Sequence, residues 1–263
     1  MAPRMVAARI EAVDLRRPDL RRPFPRRFAS RLAGATIVAL TRRGKYLLAR
    51  LSSGETLLMH LGMSGSFRVQ RDGPTTRTGR PSKRDAHDHV VFHMSSGHAV
   101  VFNDPRRFGV MDLIPASTLR DHPVLGKLGP EPLSSQFSAS TLASACRGKK
   151  TSLKAVLLDQ RVVAGLGNIY ASEALHVAGL SPRRPAAILA TARGAPREAA
   201  VRLAAAIKDV LRQALSRSSR NDESSFLVYD RSNRPCRRKD CRGTIRRRTQ
   251  GGRSTFYCPV CQR

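Results

Sequence analysis

Four of the five cysteines fall in the last 28 residues, in the pattern Cys236-x4-Cys241-x16-Cys258-x2-Cys261. Thiolates are soft ligands, and two close pairs of them suit a tetrahedral Zn²⁺. Each pair fits a tight turn, so one metal would staple two turns of a β-ribbon. Four thiolates leave no open coordination position, so the expected Zn²⁺ is structural and not catalytic. A segment this short buries too little apolar surface to fold alone, and structural zinc contributes on the order of 10–16 kcal/mol of apparent binding energy in small fingers. The x4 spacing of the first pair is looser than the usual x2. The fifth cysteine, Cys146, stands alone; an odd count without a secretory signal argues against a disulfide framework.

Between the pairs lie Arg246-Arg247-Arg248 and Gly251-Gly252-Arg253-Ser254-Thr255-Phe256-Tyr257. A Gly-Gly hairpin tip followed by Arg lays backbone amides and a guanidinium against a phosphate. The plainer reading of the arginine run is a solvated face; its attachment to a zinc ribbon favours phosphate contact. Gly165-x-Gly167-Asn168 is a second phosphate signal, because glycines admit a close backbone approach and the following helix presents free N–H groups. Lys149, Lys150 and Lys154 on the preceding helix would complete a phosphate clamp. Two further turns follow strands: His60-Leu61-Gly62-Met63-Ser64-Gly65 and Asn103-Asp104-Pro105-Arg106-Arg107-Phe108-Gly109. On the residues alone, Met63 and Phe108 read as core positions. The sharper alternative is a wedge pushed into a base stack, with Arg106 filling the gap left by a flipped base.

These residues sit on a chain of 263 residues with 41% apolar composition, enough for one large or two small domains with a real core. Lys and Arg number 48 against 19 Asp and Glu, a net charge of +29. Such a surface excludes small neutral metabolites as the default substrate and points to a polyanion. No apolar run reaches the length of a membrane span, which leaves nucleic acid ahead of a membrane surface. The N-terminus lacks the apolar stretch of a secretory signal, and a strand beginning at Ile10 argues against a transit peptide. The first 115 or so residues read as strands. Lys45 to Leu51 and Glu55 to Leu61 flank Ser52-Ser53-Gly54, and Val90 to Met94 and His98 to Phe102 flank Ser95-Ser96-Gly97, two hairpins. Residues 70–88 read as a polar, mobile surface loop. The middle is helical: Leu153, Val156 and Leu157 follow Thr151 or Ser152 as N-cap; Ala171, Leu175 and Ala178 follow Asn168 as cap, with Pro182 and Pro185 closing; Leu203, Ile207, Val210, Leu211 and Ala214 mark a longer helix. Residues 216–221 read as a linker. Residues 226–263 carry eleven Lys/Arg against two Asp.

Together the motifs resemble the formamidopyrimidine-DNA glycosylase and endonuclease VIII family of bacterial base-excision repair. The carrying segments are Arg43-Gly44-Lys45-Tyr46-Leu47-Leu48, the His60 and Asn103 turns, His87-Asp88-His89-Val90, Leu128-Gly129-Pro130-Glu131-Pro132-Leu133, Gly165-Leu166-Gly167-Asn168-Ile169-Tyr170-Ala171-Ser172-Glu173 and Gly252-Arg253-Ser254-Thr255-Phe256-Tyr257-Cys258-Pro259. They occur in the family's order along nearly the whole chain. The resemblance implies an α+β multidomain fold: a β-sandwich over 1–115, a linker over 116–135, a helix–two-turn–helix module over 136–221 and a four-cysteine zinc-finger β-hairpin over 226–263, with DNA between them. It implies that Lys45 is the active-site lysine, that His87, Arg106 and Lys150 contact DNA, and that Asn168 and Arg253 grip the phosphates flanking a lesion, Arg253 with a catalytic part. It implies that Met63, Arg106 and Phe108 fill the void, and that Cys236, Cys241, Cys258 and Cys261 hold one structural Zn²⁺. The implied activity is excision of oxidised purines (8-oxoguanine, formamidopyrimidines) from double-stranded DNA, followed by AP lyase nicking through β,δ-elimination. The implied state is a monomer, cytoplasmic and nucleoid-associated, with no membrane partner.

Two departures stand out. The family opens with Pro-Glu-Leu-Pro-Glu and a helix, and uses the terminal proline amine as nucleophile beside the glutamate acid. This chain opens Met1-Ala2-Pro3-Arg4-Met5 and joins the pattern near Arg9-Ile10, so helix, nucleophile and glutamate are expected to be absent; Pro3 is not terminal. The stretch 216–229 is also shorter than the family's base-covering loop. Two expectations follow: a repair glycosylase whose coding start lies upstream, or a catalytically silent paralogue that binds damaged DNA. A basic zinc protein bound to RNA is the third.

Overall fold

Period-two alternation builds the first half of the chain. In β6 (Asp88–Met94) and β7 (His98–Asn103), Val90, Phe92, Met94, Val100 and Phe102 turn to one face. Val91, Ala99 and Val101 gather on the other, as successive side chains of a strand must. The structure is a computed structural model that describes residues 2–73, 85–216 and 226–263. The chain divides into two compact units, Met1–Gly126 and Lys127–Arg263.

In the first unit, β1 (Ile10–Leu15), β6, β7 and β5 (Ser66–Arg71) form one sheet in the order β1-β6-β7-β5. The strands β2 (Ile37–Arg43), β3 (Tyr46–Leu51), β4 (Glu55–His60) and β8 (Val110–Pro115) form a second, in the order β2-β3-β4-β8. Every ladder is antiparallel. Ile10, Phe92 and Phe102 from one sheet and Ile37, Leu57 and Met59 from the other share a single buried core, so the unit is a β-sandwich. The two expected hairpins are β3–β4 and β6–β7. The short helices α1 (Ala2–Met5) and α2 (Phe28–Leu32) add Met5, Phe28 and Leu32 to the same core. The expectation that no helix precedes β1 is thereby corrected: one helical turn does, held because Met5 is fully buried. Of the expected loop over 70–88, residues 74–84 lie outside the described residues.

The second unit is helical, then a ribbon. Ser138 and Thr141 form a reciprocal capping box at the start of α3 (Ala139–Cys146). Ser152 caps α4 (Leu153–Leu158) by accepting the Ala155 N–H at 3.3 Å. The connection to α5 (Asn168–Val177) makes two turns, knitted by the Gln160 side chain: its amide donates to the carbonyls of Leu158 and Leu166 and accepts the Gly165 N–H. This is the helix–two-turn–helix. The amphipathic α6 (Glu198–Ser216) buries Leu203, Ile207 and Val210 against Leu157, Ala171 and Leu175. The helix runs through Ser216; the rest of the expected linker, 217–221, lies outside the described residues, as do 222–225 of the short stretch. β9 (Arg246–Gln250) and β10 (Arg253–Tyr257) form the ribbon. Gly251 and Gly252, at φ 54° and 71°, make its two-residue turn. Two consecutive left-handed residues match the strand twist there, and glycine adopts that conformation without strain.

Leu57 is fully buried and Val38 is 46% exposed. Leu57→Ala is expected to cost about 2–5 kcal/mol of stability in urea unfolding, and Val38→Ala less than about 0.5 kcal/mol.

Candidate nucleic-acid interface

A buried carboxylate organises the first unit's turns. Asp104 is completely buried, and a charge there must be fully hydrogen-bonded. Its Oδ1 accepts from Ser64 Oγ at 2.6 Å and its Oδ2 from the Gly109 N–H at 2.7 Å. Ser64 Oγ also accepts the Arg106 N–H at 3.2 Å. The Asp104 N–H donates to the His87 carbonyl and the Asp104 carbonyl accepts from His89 Nε2, both at 2.9 Å. Three turns are thus tied to one residue. Gly62 seals the contact between two of them. A Cβ there would sit 2.5 Å from the Phe108 carbonyl carbon, and its φ is +65°.

These turns carry Met63, Arg106 and Phe108 outward. Met63 is 73% exposed and Phe108 40% exposed, with the Arg106 guanidinium 4.7 Å from the Phe108 ring centroid. The reading of Met63 and Phe108 as core positions is therefore wrong: the Asp104 network holds both turns with these side chains facing solvent. The structure brings all three candidate void-filling residues onto adjoining turns. His87 is exposed on the 3-10 turn Asp85–His87.

Lys45 is exposed between β2 and β3. Beside it the Tyr46 and His60 rings lie 4.9 Å apart. Burial, then the charges of Lys45 and Arg21, hold His60 below its ordinary range. Burial pushes Tyr46 up against the opposing pull of Arg22 and Arg21. His60 Nδ1 accepts the Gly62 N–H at 3.0 Å, so the lysine turn and the Met63 turn are contiguous. Arg21 also donates its backbone N–H to the Gly109 carbonyl at 3.2 Å, and Asp19 lies 3.7 Å from Arg107. Arg21 and Arg22 fall in none of the sequence motifs, and His60 only opens one; the repeated Arg-Arg-Pro at 16–18 and 21–23 is the signal that marks the two arginines.

In the second unit, Lys154 is 1% exposed. Its Nζ donates to the Ser254 carbonyl at 2.8 Å and to Thr255 Oγ1 at 2.6 Å. Burial, then the charge of Arg253, pushes it down to about 8. Lys154 is therefore no part of a phosphate clamp, which corrects that expectation. Lys149 and Lys150 are exposed but precede α4 instead of riding on it. Asn168 is the first residue of α5, whose cap is Gly167. Its Nδ2 donates to the same Ser254 carbonyl at 3.0 Å. One carbonyl thus joins α4, α5 and the ribbon, and the next residue back, Arg253, is exposed. Glu173, nearly buried, accepts the backbone N–H groups of Leu227, Val228 and Tyr229 at 2.8–2.9 Å.

The cysteine sulfurs of Cys236, Cys241, Cys258 and Cys261 all lie within 4.8 Å of one another. Cys236 and Cys261 are 3.8 Å apart, and Cys241 and Cys258 3.6 Å. A tetrahedron of Zn–S bonds of about 2.3 Å has edges of about 3.75 Å, so the four sulfurs could bind a zinc ion. Burial and neighbouring thiols push Cys261 up, whereas the Gly243 backbone hydrogen bond draws Cys241 down. Among the described residues, no helix is long and apolar enough to cross a membrane.

Comparison with known proteins gives two domain matches: the formamidopyrimidine-DNA glycosylase N-terminal domain over residues 1–111 and the formamidopyrimidine-DNA glycosylase H2TH domain over residues 128–224. The chain is 56% identical to a formamidopyrimidine-DNA glycosylase of Rhodopseudomonas palustris (strain BisA53), across 100% of this chain and 96% of that protein. It is 55% identical to the one from Bradyrhizobium sp. (strain BTAi1), with the same coverage. A solved structure of the Lactococcus lactis enzyme, bound non-covalently to DNA containing an AP site, superposes with a TM-score of 0.84 at 27% identity, covering 100% of this chain and 95% of that one. The MutM (Fpg) protein of Thermus thermophilus gives 0.81 at 35% identity, covering 99% and 93%.

The Lys154 environment makes a pH test. Its folded value of about 8 lies below its ordinary 10.5, so the unfolded chain keeps that proton to higher pH. The Lys154 contribution to stability is expected to rise between pH 8 and 10.5 by up to ~1.4 kcal/mol per pH unit, against the opposite contribution of buried Cys146, whose thiol is pushed up to about 11. Lys154→Met is expected to remove that contribution, read as the difference between the native and variant urea midpoints at successive pH values, in which the Cys146 contribution cancels.

Proposed function

The chain belongs to the formamidopyrimidine-DNA glycosylase family, and on that premise we propose that it removes oxidised purines, 8-oxoguanine and formamidopyrimidines, from double-stranded DNA and then nicks the abasic strand by β,δ-elimination. The observation that carries the reading is the Ser254 junction. It sets exposed Arg253 beside the start of α5, where the first-turn N–H groups of a helix favour an anion. Two positively polarised elements held by one carbonyl suit the phosphates on either side of a nucleotide. Asn168 and Arg253 are assigned to that grip, Lys150 and His87 to further backbone contacts.

Excision from a duplex requires the base to leave the stack, at a cost of a few kcal/mol. Met63, Phe108 and Arg106 are suited to offset it. An apolar thioether and ring can occupy the vacated space, and a guanidinium stacked on the ring can hydrogen-bond the orphaned partner base. Glycosidic cleavage coupled to strand nicking needs an amine that attacks the sugar C1′, because the resulting Schiff base makes elimination easy. The family assigns that attack to an N-terminal proline; in this chain, which reads Met1-Ala2-Pro3, the attack is assigned to another amine, that of Lys45 at the reacting nucleotide or the chain's own N-terminal amine. Cys236, Cys241, Cys258 and Cys261 would hold one Zn²⁺, which supplies no chemistry of its own and ties the ribbon that carries Arg253. The proposed domains are the sandwich over 1–115, the linker over 116–135, the helical module over 136–221 and the finger over 226–263. The protein is proposed to act as a monomer in the bacterial cytoplasm on nucleoid DNA. The one observation that favours the silent-paralogue reading is the Met1-Ala2-Pro3-Arg4-Met5 opening, which carries neither the family's terminal proline nor its glutamate.

On an 8-oxoguanine duplex the protein is expected to release the base and nick the strand. Arg253→Ala should slow excision at least ~10-fold with an unchanged melting temperature. Borohydride is expected to trap a covalent adduct on an abasic duplex. Binding without any adduct would remove the lyase step, and an unperturbed Arg253→Ala would remove the phosphate grip. With six to ten phosphates contacted, log K should fall with log salt at a slope of roughly −5 to −9.

A further inference from the structure

His176 belongs to no motif described above. It lies in the last turn of α5 and is 2% exposed. Its Nε2 sits 3.3 Å from Cys236 Sγ and 3.8 Å from Cys261 Sγ. Its Nδ1 is buried with no hydrogen-bond partner among the described residues. The proton therefore belongs on Nε2, since an orphaned buried N–H is rarer than an orphaned lone pair. The Cys236 sulfur also takes the Arg238 backbone N–H at 3.4 Å. The Arg238 guanidinium turns back onto the carbonyls of His176 and Val177, at the negative end of α5. The end of the helix and the first cysteine pair are therefore cross-tied in both directions.

We infer that His176 is a positioning residue for the metal, its Nε2–H donating to the Cys236 thiolate and reaching toward Cys261 from outside the tetrad. This rests on the proposed reading of the four cysteines as zinc ligands. Four thiolates around Zn²⁺ carry a net charge of −2, and donors aimed at the sulfurs disperse it and fix their orientation. His176 does so from a helix, not from the cysteine loops. The ten residues of α5 span about 15 Å, with Asn168 at one end and His176 at the other, so the helix that places Asn168 is held at its far end by the metal site.

The test uses the zinc-loaded protein and two variants. His176→Phe fills the site without a donor, and His176→Gln puts an amide N–H near the Nε2 position. Zinc release to a chromogenic chelator is expected to be roughly 10-fold faster or more in His176→Phe and close to native in His176→Gln. In the Co²⁺-substituted proteins, the thiolate-to-metal charge-transfer band is expected to move to lower energy in His176→Phe and to be restored in His176→Gln. Should Phe not be accommodated, His176→Leu serves as the donorless variant. Equal behaviour of donor-bearing and donorless variants in both readouts overturns the inference, because a packing role would not distinguish them. A native protein that retains no stoichiometric zinc overturns instead the reading of the tetrad itself.

Discussion

A buried charge must have its hydrogen-bonding capacity filled, and this protein uses that requirement as its means of construction. Asp104 gathers Ser64 and Gly109; Glu173 gathers three consecutive backbone N–H groups; Lys154 holds Ser254 and Thr255. In each case a charged side chain deep in one element dictates where a loop or ribbon must run. The elements that display Met63, Arg106 and Arg253 are consequences of those three fixtures. Removing one partner would leave a charge unpaired in the interior, far costlier than losing a contact at the surface.

The same devices bear on the electrostatics. Acidic residues number only 19 against 48 basic ones, and Asp88, Asp104 and Glu173 are buried. Acids placed inside as acceptors do little to neutralise the exterior. Asp88 takes Arg68 at 2.8 Å and the Asn103 amide at 2.8 Å, again as an internal fixture. The excess of 48 basic over 19 acidic residues leaves a net cationic surface to meet a polyanion. The self-repulsion of such a surface opposes compactness, and pairing with a polyanion relieves it.

Features set by neighbours in the chain were legible in the sequence. Both hairpins, the N-cap at Ser152, the Gly-Gly ribbon tip and the buried faces of α5 and α6 follow from short-range periodicity and turn chemistry. The cysteine cluster was legible because its spacing is itself the signal. What escaped depends on distant partners. Lys154 looked like a surface cation because its acceptors are Ser254 and Thr255, about a hundred residues away. Asn168 looked like a cap because nothing local says that its amide is claimed by the ribbon. Met63 and Phe108 looked like core because apolarity in a turn gives no direction; the direction comes from Asp104. His176 read as one more residue on a helix, since its partners lie 60 and 85 positions further on.

The Ser254 junction also has a consequence for the order in which the molecule comes into being. Synthesis delivers the helices α4 and α5 first, and at ribosomal rates of about 5–20 residues per second the ribbon follows seconds later. During that interval Lys154 and Asn168 lack their acceptors on Ser254 and Thr255, so the helix pair stays open to water at the face the ribbon will cover. A nascent chain is thus without the Ser254 junction until strand β10 has emerged. The contacts of Lys154 and Asn168 with Ser254 and Thr255 are absent from incomplete chains and form when the ribbon docks.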